Sequence, residues 1–165
     1  MLSAEGNPDE YYMRMALQQA RLAMEEGEVP TGAVIVHFTE GPEGRKGEVI
    51  ARAHNQVEIL KDPTAHAEMI AITQATNAQG DWRLTDTALY VTKEPCPICA
   101  GAILLARIPR VVFGVPDPLR GGAGGVFNIL DHPNFNHRAE IVSGVMETEC
   151  RELLQQFFQA CRSRN

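Results

Sequence analysis

The chain has 165 residues, of which 44% are apolar and 22% are charged, and both values are ordinary for a globular protein. This length predicts one domain over residues 1–165, long enough to bury a substantial core. No apolar run approaches the roughly 20 residues that a membrane-spanning helix needs. The N-terminal stretch MLSAEGNPDEYY has neither the basic start nor the apolar centre of a signal peptide. We therefore expect a cytoplasmic protein with no membrane partner.

The charge and the cysteines narrow the possible functions. The net charge of −6 argues weakly against nucleic acid, although residues 104–165 hold 7 Lys and Arg against 6 Asp and Glu. Because the steering of a charged ligand depends on the local electrostatic potential, a basic surface within residues 104–165 remains compatible with the sequence. Four cysteines in an intracellular chain of this size argue against a disulfide framework.

The predicted elements alternate between helices and strands, and the first is a helix that Asn7 caps. Pro8 suits its first turn, and Asp9 and Glu10 complement the helix dipole. Apolar residues then recur at helical spacing up to about Glu26.

Two strands are predicted next, over residues 33–38 and 48–52. The segment between them, TEGPEGRKG (39–47), holds three glycines, a proline and several charges, and it predicts an extended hairpin loop. The later elements are a helix over about 66–76, a strand over 87–92, a helix over 97–106, a strand over 110–115, a short strand near 140–145 and a helix over about 147–162. Strands that alternate with helices predict an α/β sandwich around one sheet.

A CxxC motif, Cys96 and Cys99, stands in the stretch EPCPICAG. Alone it is compatible with a redox pair, a structural metal site, a catalytic metal site or two buried thiols. About thirty residues earlier, TAHAE supplies His66 and Glu68. The combined pattern H-x-E…P-C-x-x-C is typical of zinc-dependent deaminases.

The spacing of this pattern suits a catalytic zinc ion. Two thiolates and the His66 imidazole leave a fourth tetrahedral position for water. Glu68 can move protons beside that water without binding the metal. A structural site needs a fourth protein ligand, and the candidates, Cys150 and Cys161, lack a ligand spacing. We interpret these two as core or surface thiols.

The sequence resembles the bacterial tRNA-specific adenosine deaminases, within the cytidine deaminase-like superfamily. The similarity extends from Glu10 to Arg162. It is carried by EVPTGAVIV (28–36), HN (54–55), DPTAHAEMIAI (62–72), LYVTKEPCPICAGAI (89–103), ARIPRVVFGVPDP (106–118), GGAGGVFNIL (121–130), HPNFNHR (132–138) and ECRELLQQFF (149–158). The zinc motif is common to the superfamily, whereas ARIPRVVFG, the following PD and the glycine-rich stretch are more specific to the tRNA enzymes.

The resemblance implies a three-layer α/β/α cytidine deaminase-like fold, with a five-stranded mixed sheet between helices. It implies a homodimer with one Zn²⁺ per subunit, bound by His66, Cys96 and Cys99. The implied reaction is hydrolytic deamination of adenosine to inosine at the wobble position of an arginine tRNA anticodon, with Glu68 as the proton shuttle. The hairpin over 39–47 is several residues longer than the family usually has.

The resemblance also assigns substrate contacts outside the zinc motif. Asn55 corresponds to a residue that contacts the flipped nucleoside, and Asp117 to one that contacts the neighbouring ribose. The backbone amides near Ala67 and Cys96 are hydrogen-bond partners for the base edge. The remaining implied contacts line the pocket or lie near the RNA: Pro30, Thr31, His132, Asn136, His137, Phe158 and Arg162.

Two alternatives stay open. A deaminase of a free base or nucleoside, such as guanine or cytosine, would use identical zinc residues, and the negative net charge favours a small substrate. A noncatalytic RNA-binding subunit could keep zinc for structure, but it would have no need for Glu68. The PD and the glycine-rich stretch favour tRNA.

Overall fold

The computed structural model describes residues 6–164, so residues 1–5 and 165 of the predicted domain lie outside the described part. Five helices and five strands occur within residues 6–164. In chain order they are α1 (Pro8–Glu25), β1 (Gly32–Gly41), β2 (Gly44–His54), α2 (Val57–Leu60), α3 (Ala67–Gln79), β3 (Thr87–Lys93), α4 (Pro97–Leu105), β4 (Arg110–Val115), β5 (Glu140–Ser143) and α5 (Glu147–Ser163).

The strands form one mixed sheet in the order β2-β1-β3-β4-β5. β1 is antiparallel to both β2 and β3, whereas β3, β4 and β5 are parallel. The start of β1 pairs with the ends of β2 and β3, and the end of β3 pairs with the end of β4. The carboxyl ends of β2, β3 and β4 therefore lie together at one edge of the sheet, the edge that crosses the strand ends.

Both faces of the sheet are covered by helices. Ile35 of β1 faces a buried cluster that includes Ala71 of α3 and Ile103 of α4. The next residue, Val36, faces a second cluster with Leu17 of α1 and Cys150 of α5. This alternation follows from the two-residue period of a strand. The predicted three-layer α/β/α fold with a five-stranded mixed sheet is confirmed.

The predicted loop over residues 39–47 is wrong. β1 continues to Gly41 and β2 begins at Gly44, so only two residues turn the chain. Gly44 has a φ of 100°, which a tight turn requires here and which favours glycine. The Arg45 guanidinium lies 4.0 Å from the Phe38 ring centroid across the hairpin. Charged side chains suit an exposed edge strand, and in the sequence this composition resembles that of a loop.

The other predicted elements agree with the structure except at their ends. The Asn7 side chain accepts a hydrogen bond from the Asp9 amide at 3.0 Å and caps α1 as predicted. α3 continues to Gln79, three residues beyond the prediction. β5 ends at Ser143, and Gly144 follows with a φ of 87°. The four-residue helix α2 was not predicted. No helix within residues 6–164 is long and apolar enough to cross a membrane.

Candidate active site

The starts of two helices carry the residues of the H-x-E and C-x-x-C motifs. His66 is the N-cap of α3 and Cys96 is the N-cap of α4, each with extended backbone angles. Pro97 occupies the first turn of α4, where its missing amide hydrogen costs no helical hydrogen bond. Because β2 and β3 end at the same edge of the sheet, the helices that follow them begin side by side.

The ligand atoms of His66, Cys96 and Cys99 form one cluster. All three atoms lie within 4.8 Å of one another. His66 Nδ1 is 3.4 Å from Cys96 Sγ and 3.3 Å from Cys99 Sγ. An imidazole nitrogen and two sulfurs that converge in this way can hold a metal ion. The convergence favours a metal site over a redox pair for the CxxC motif.

The two cysteines differ in protonation before a metal binds. Hydrogen bonds from Cys99 and from His66 lower the pKa of Cys96 to about 4, against the opposing effect of burial. The contact with Cys96, together with burial, raises the pKa of Cys99. The hydrogen bond with Cys96 also raises the pKa of His66. Metal binding therefore finds the Cys96 thiolate in place, and it must displace the proton of Cys99.

Glu68 lies in the first turn of α3 and is buried, with 4% of its surface exposed. Burial is the main cause that raises the pKa of its carboxyl, and hydrogen bonds from its own backbone amide and from Cys99 oppose that rise. A buried carboxyl with a raised pKa beside a metal-binding cluster is suited to proton transfer.

The remaining two cysteines are not part of the cluster. Cys150 is buried between α1, α5 and the opposite face of the sheet. Cys161 is exposed on α5. The interpretation of these residues as a core thiol and a surface thiol is confirmed. A structural metal site with one of them as fourth ligand is not supported.

The predicted pocket residues Pro30, Thr31 and Asn55 meet at the sheet edge where β2 ends. The backbone N–H of Asn55 donates to the Thr31 carbonyl at 3.1 Å. Asn55 is 8% exposed, and its side chain makes none of the hydrogen bonds found within residues 6–164. The side-chain amide therefore keeps a donor and an acceptor for a ligand. Ala67 is buried at the first position of α3, among the amides that have no helical acceptor.

Asp117 follows β4 at the same edge, and both of its side-chain oxygens have partners. Oδ1 accepts from the amides of Leu119 and Arg120 at 3.0 and 3.1 Å, and Oδ2 lies 3.2 Å from the Lys93 ammonium. Burial alone would raise the pKa of this carboxyl, but the amide of Leu119 and the charge of Lys93 hold it below its usual value. A ribose at this position must share the carboxylate with these partners.

The other predicted RNA contacts lie on exposed segments. His132 and Asn136 are exposed in the loop before β5, where the His132 ring packs against Phe135 in a tilted arrangement with centroids 5.1 Å apart. His137 Nε2 instead donates to the Ile108 carbonyl at 2.9 Å, which gives this residue a structural role. On α5, Phe158 is 43% exposed and Phe157 packs partly inside, as their adjacency predicts. Arg162 is exposed in the last turn.

Comparisons with known proteins agree with this geometry. The sequence profile of the MafB19-like deaminase family matches residues 7–162. The tRNA-specific adenosine deaminase of Bacillus subtilis is 49% identical over 156 residues, which cover 94% of this chain and 92% of the relative. The chain belongs to the tRNA-specific adenosine deaminase family. A second member, from Aquifex aeolicus, is 47% identical over 154 residues, covering 93% of this chain and 96% of its own.

Two solved deaminase structures differ in their similarity to this chain. A structure from a study of A-to-I editing by tRNA:A34 deaminases matches with a TM-score of 0.79 and 42% identity, covering 87% of this chain and 99% of the other. The guanine deaminase of Bacillus subtilis matches with a TM-score of 0.58 and 30% identity, covering 93% of each chain. Both the TM-score and the sequence identity are higher for the tRNA:A34 deaminase structure than for the guanine deaminase.

Two buried glutamates, Glu28 and Glu94, were not predicted from the sequence as site residues. Glu28 accepts hydrogen bonds from the amides of Glu58 and Ile59 at 3.1 and 2.8 Å, and so holds α2 in place after Asn55. Glu94 accepts hydrogen bonds from three amides in the loop after β4. The glycine-rich stretch was the only signal for the second, since its free amides require an acceptor.

Proposed function

We propose that this protein deaminates adenosine to inosine at the wobble position of a tRNA anticodon, that of an arginine tRNA. The observation that carries the proposal is a buried Glu68 beside the His66–Cys96–Cys99 cluster, in a chain that is 49% identical to a tRNA-specific adenosine deaminase. The anticodon loop presents bases that are already partly unstacked, so moving one into the site costs little.

The metal in this proposal is zinc, one ion per chain. With bonds of about 2.3 Å to sulfur and about 2.0 Å to nitrogen, tetrahedral zinc separates such ligands by about 3.5 Å. The distances of 3.3 and 3.4 Å from His66 Nδ1 to the two sulfurs support this fit. Bound zinc supplies a water whose pKa falls to about 7. His66, Cys96 and Cys99 would hold the ion.

Glu68 acts in this mechanism as the proton shuttle. Its carboxylate takes a proton from the attacking water and gives it to N1 of the adenine ring. It then delivers the second proton to the exocyclic amine, which leaves as ammonia, so that adenosine and water yield inosine and ammonia. Burial raises the pKa of the Glu68 carboxyl, and this shift supports a role in proton transfer.

The proposed substrate contacts form two groups. Near the base, Asn55 uses its side-chain amide, Ala67 its backbone amide, and Pro30 and Thr31 line the pocket. Farther along the RNA, Asp117 contacts the ribose of the neighbouring nucleotide. The outer contacts are His132, Asn136, Phe158 and Arg162.

We propose that the chain works as a single deaminase domain in a cytoplasmic homodimer. Exposed apolar side chains on α4 and in the loop after β4 support an interface there: Ile98, Leu105, Leu119, Val126 and Phe127. The apparent mass of the purified protein in solution tests this part of the proposal. A monomeric mass would contradict it.

The second candidate is a deaminase of a free base, which the match to the Bacillus subtilis guanine deaminase favours. One experiment separates the two. Purified zinc-loaded protein is incubated with an arginine tRNA anticodon stem-loop, free adenosine, guanine or cytosine, and inosine and ammonia are measured. We expect inosine only in the stem-loop. Turnover of the free bases without turnover of the stem-loop would refute the tRNA substrate.

A further inference from the structure

Glu94 is a buried carboxylate between β3 and the metal-ligand candidate Cys96. It is 4% exposed. Oε1 accepts from the Asp117 amide at 3.1 Å, and Oε2 accepts from the amides of Ala123 and Gly125 at 3.1 and 2.9 Å. All three donors belong to one segment, which we call the 117–125 loop. A single carboxylate therefore connects both ends of this loop to the end of β3.

The 117–125 loop is shaped around the Glu94 carboxylate. A Cβ added at Gly121 or Gly125 would collide with the carboxylate, so neither position has room for a side chain. Between them, the Gly122 amide donates to the Pro95 carbonyl at 2.8 Å. A Cβ at Gly122 would lie 3.1 Å from the Cys96 carbonyl oxygen. The loop consequently packs directly against the start of α4.

The charge of Glu94 is compensated by these amides. The neighbouring cation, Lys93, pairs instead with Asp117 at 3.2 Å. Hydrogen bonds from amides to a carboxylate are stronger than those to a neutral acceptor. A glutamine at position 94 would lose this charge and turn an NH₂ group toward one of the N–H donors. The loop would then lose its attachment without a change in side-chain size.

We propose that Glu94 is a positioning residue that holds the 117–125 loop, and Asp117 with it, in the conformation that receives the RNA. The inference rests on the proposed function for its substrate. Glu94 itself does not touch the RNA, because the loop amides occupy both of its oxygens. The loop also carries Arg120, whose exposed side chain faces outward.

This role separates substrate binding from chemistry. Glu68 lies in the first turn of α3 and His66 is the N-cap of that helix, and neither residue takes part in the hydrogen bonds by which Glu94 holds the 117–125 loop. Loosening the loop should therefore weaken the binding of nucleotides that flank the target base, while proton transfer continues. The expected signature is a rise in KM at nearly constant kcat.

The test compares Glu94→Gln with Asp9→Asn, a matched control in which a carboxylate also loses its charge. Asp9 accepts two hydrogen bonds from Arg110 at 2.7 and 2.9 Å and takes no part in the proposed site. For Glu94→Gln we expect KM for the stem-loop to rise about 10- to 100-fold, with kcat within about twofold of wild type. Amide exchange at Asp117, Ala123 and Gly125 should accelerate at least about tenfold, with zinc still bound. Asp9→Asn should lower Tm without either change.

A conservative variant keeps the inference testable if Glu94→Gln folds poorly. Glu94→Asp keeps the charge but is one methylene shorter, and we expect a KM between those of wild type and Glu94→Gln. A wild-type KM in a folded Glu94→Gln protein, or unchanged exchange of the three amides, would overturn the role. Loss of zinc would also overturn it and assign Glu94 to the support of Cys96. Failure of the wild type to deaminate the stem-loop would refute the proposed function, whereas the exchange data would still decide whether Glu94 holds the loop.

Discussion

The inner and outer parts of the candidate site are built in different ways. The inner part, His66, Glu68, Cys96 and Cys99, lies at two adjacent helix starts, with its metal-ligand atoms within 4.8 Å of one another. The outer part, His132, Asn136, Phe158 and Arg162, lies on the exposed loop before β5 and on the last turns of α5. Rigid, shielded helix starts suit proton transfer and metal binding, which tolerate little displacement. Exposed loops suit a long flexible partner and leave room for specificity to vary.

Removal of the metal ligands tests the inner part most severely. We expect Cys96→Ser and Cys99→Ser to lose bound zinc and to reduce inosine formation to background, because two ligands do not hold the ion in a catalytic geometry. Metal content by mass spectrometry and stem-loop deamination check this. Cys161→Ser is the control, since this exposed cysteine lies on α5. A Cys99→Ser protein with full zinc and full activity would refute the ligand set.

Removal of the shuttle should separate metal binding from chemistry within the inner part. We expect Glu68→Ala to keep zinc and to lower kcat for the stem-loop by about 10²- to 10⁴-fold, the range for a general acid–base group. Glu25→Ala, at an exposed position in the last turn of α1, is the control. Single-turnover kinetics and metal analysis give the two readouts. Full activity in Glu68→Ala would exclude the shuttle role.

Asn55 belongs to neither part, and its effect should fall between theirs. Asn55→Ala removes one amide from the pocket, and we expect kcat/KM for the stem-loop to fall about tenfold, corresponding to a net hydrogen-bond contribution of about 1.4 kcal/mol. Asn77→Ala is the matched control, because that amide donates only to the Thr73 carbonyl on α3. Equal effects of the two substitutions would show that Asn55 contributes stability alone.

The same contrast explains how much the sequence alone could predict. The strands with apolar runs, such as β3, and the four inner residues were predicted, because each is encoded within a few consecutive positions. The hairpin was predicted, but its loop over 39–47 was predicted too long, since charged residues on an edge strand have the composition of a loop. Hydrophobic patterning carries no information about a strand whose side chains face solvent on both sides.

The buried glutamates Glu28 and Glu94 show a second limit of prediction from the sequence. Glu94 binds amides that lie 23, 29 and 31 residues later, and Glu28 binds amides 30 and 31 residues later. In the sequence each is one charged residue, and charged residues are usually exposed. Only the fold brings the distant amides together. These positions are therefore predictable from packing and not from local pattern.

Substitution of Arg162 should give the smallest effect on KM for the stem-loop. The salt dependence of KM shows whether that effect comes from a phosphate contact. Arg162 lies in the last turn of α5, and if it contacts a phosphate, Arg162→Gln removes about one released counterion from binding. We expect KM for the stem-loop to rise about two- to fivefold at low salt, and the slope of log KM against log salt to fall by about one.

Arg151→Gln is the matched control on the same helix, because its guanidinium is 3.3 Å from Glu147 and is already paired within the chain. If both substitutions change KM without changing the salt slope, the helix contributes to folding and not to RNA binding. If only Arg162→Gln lowers the slope, the end of α5 lies on the RNA path. In that case the outer part extends from the loop after β4 to the C-terminal helix, although the net charge of the chain is −6.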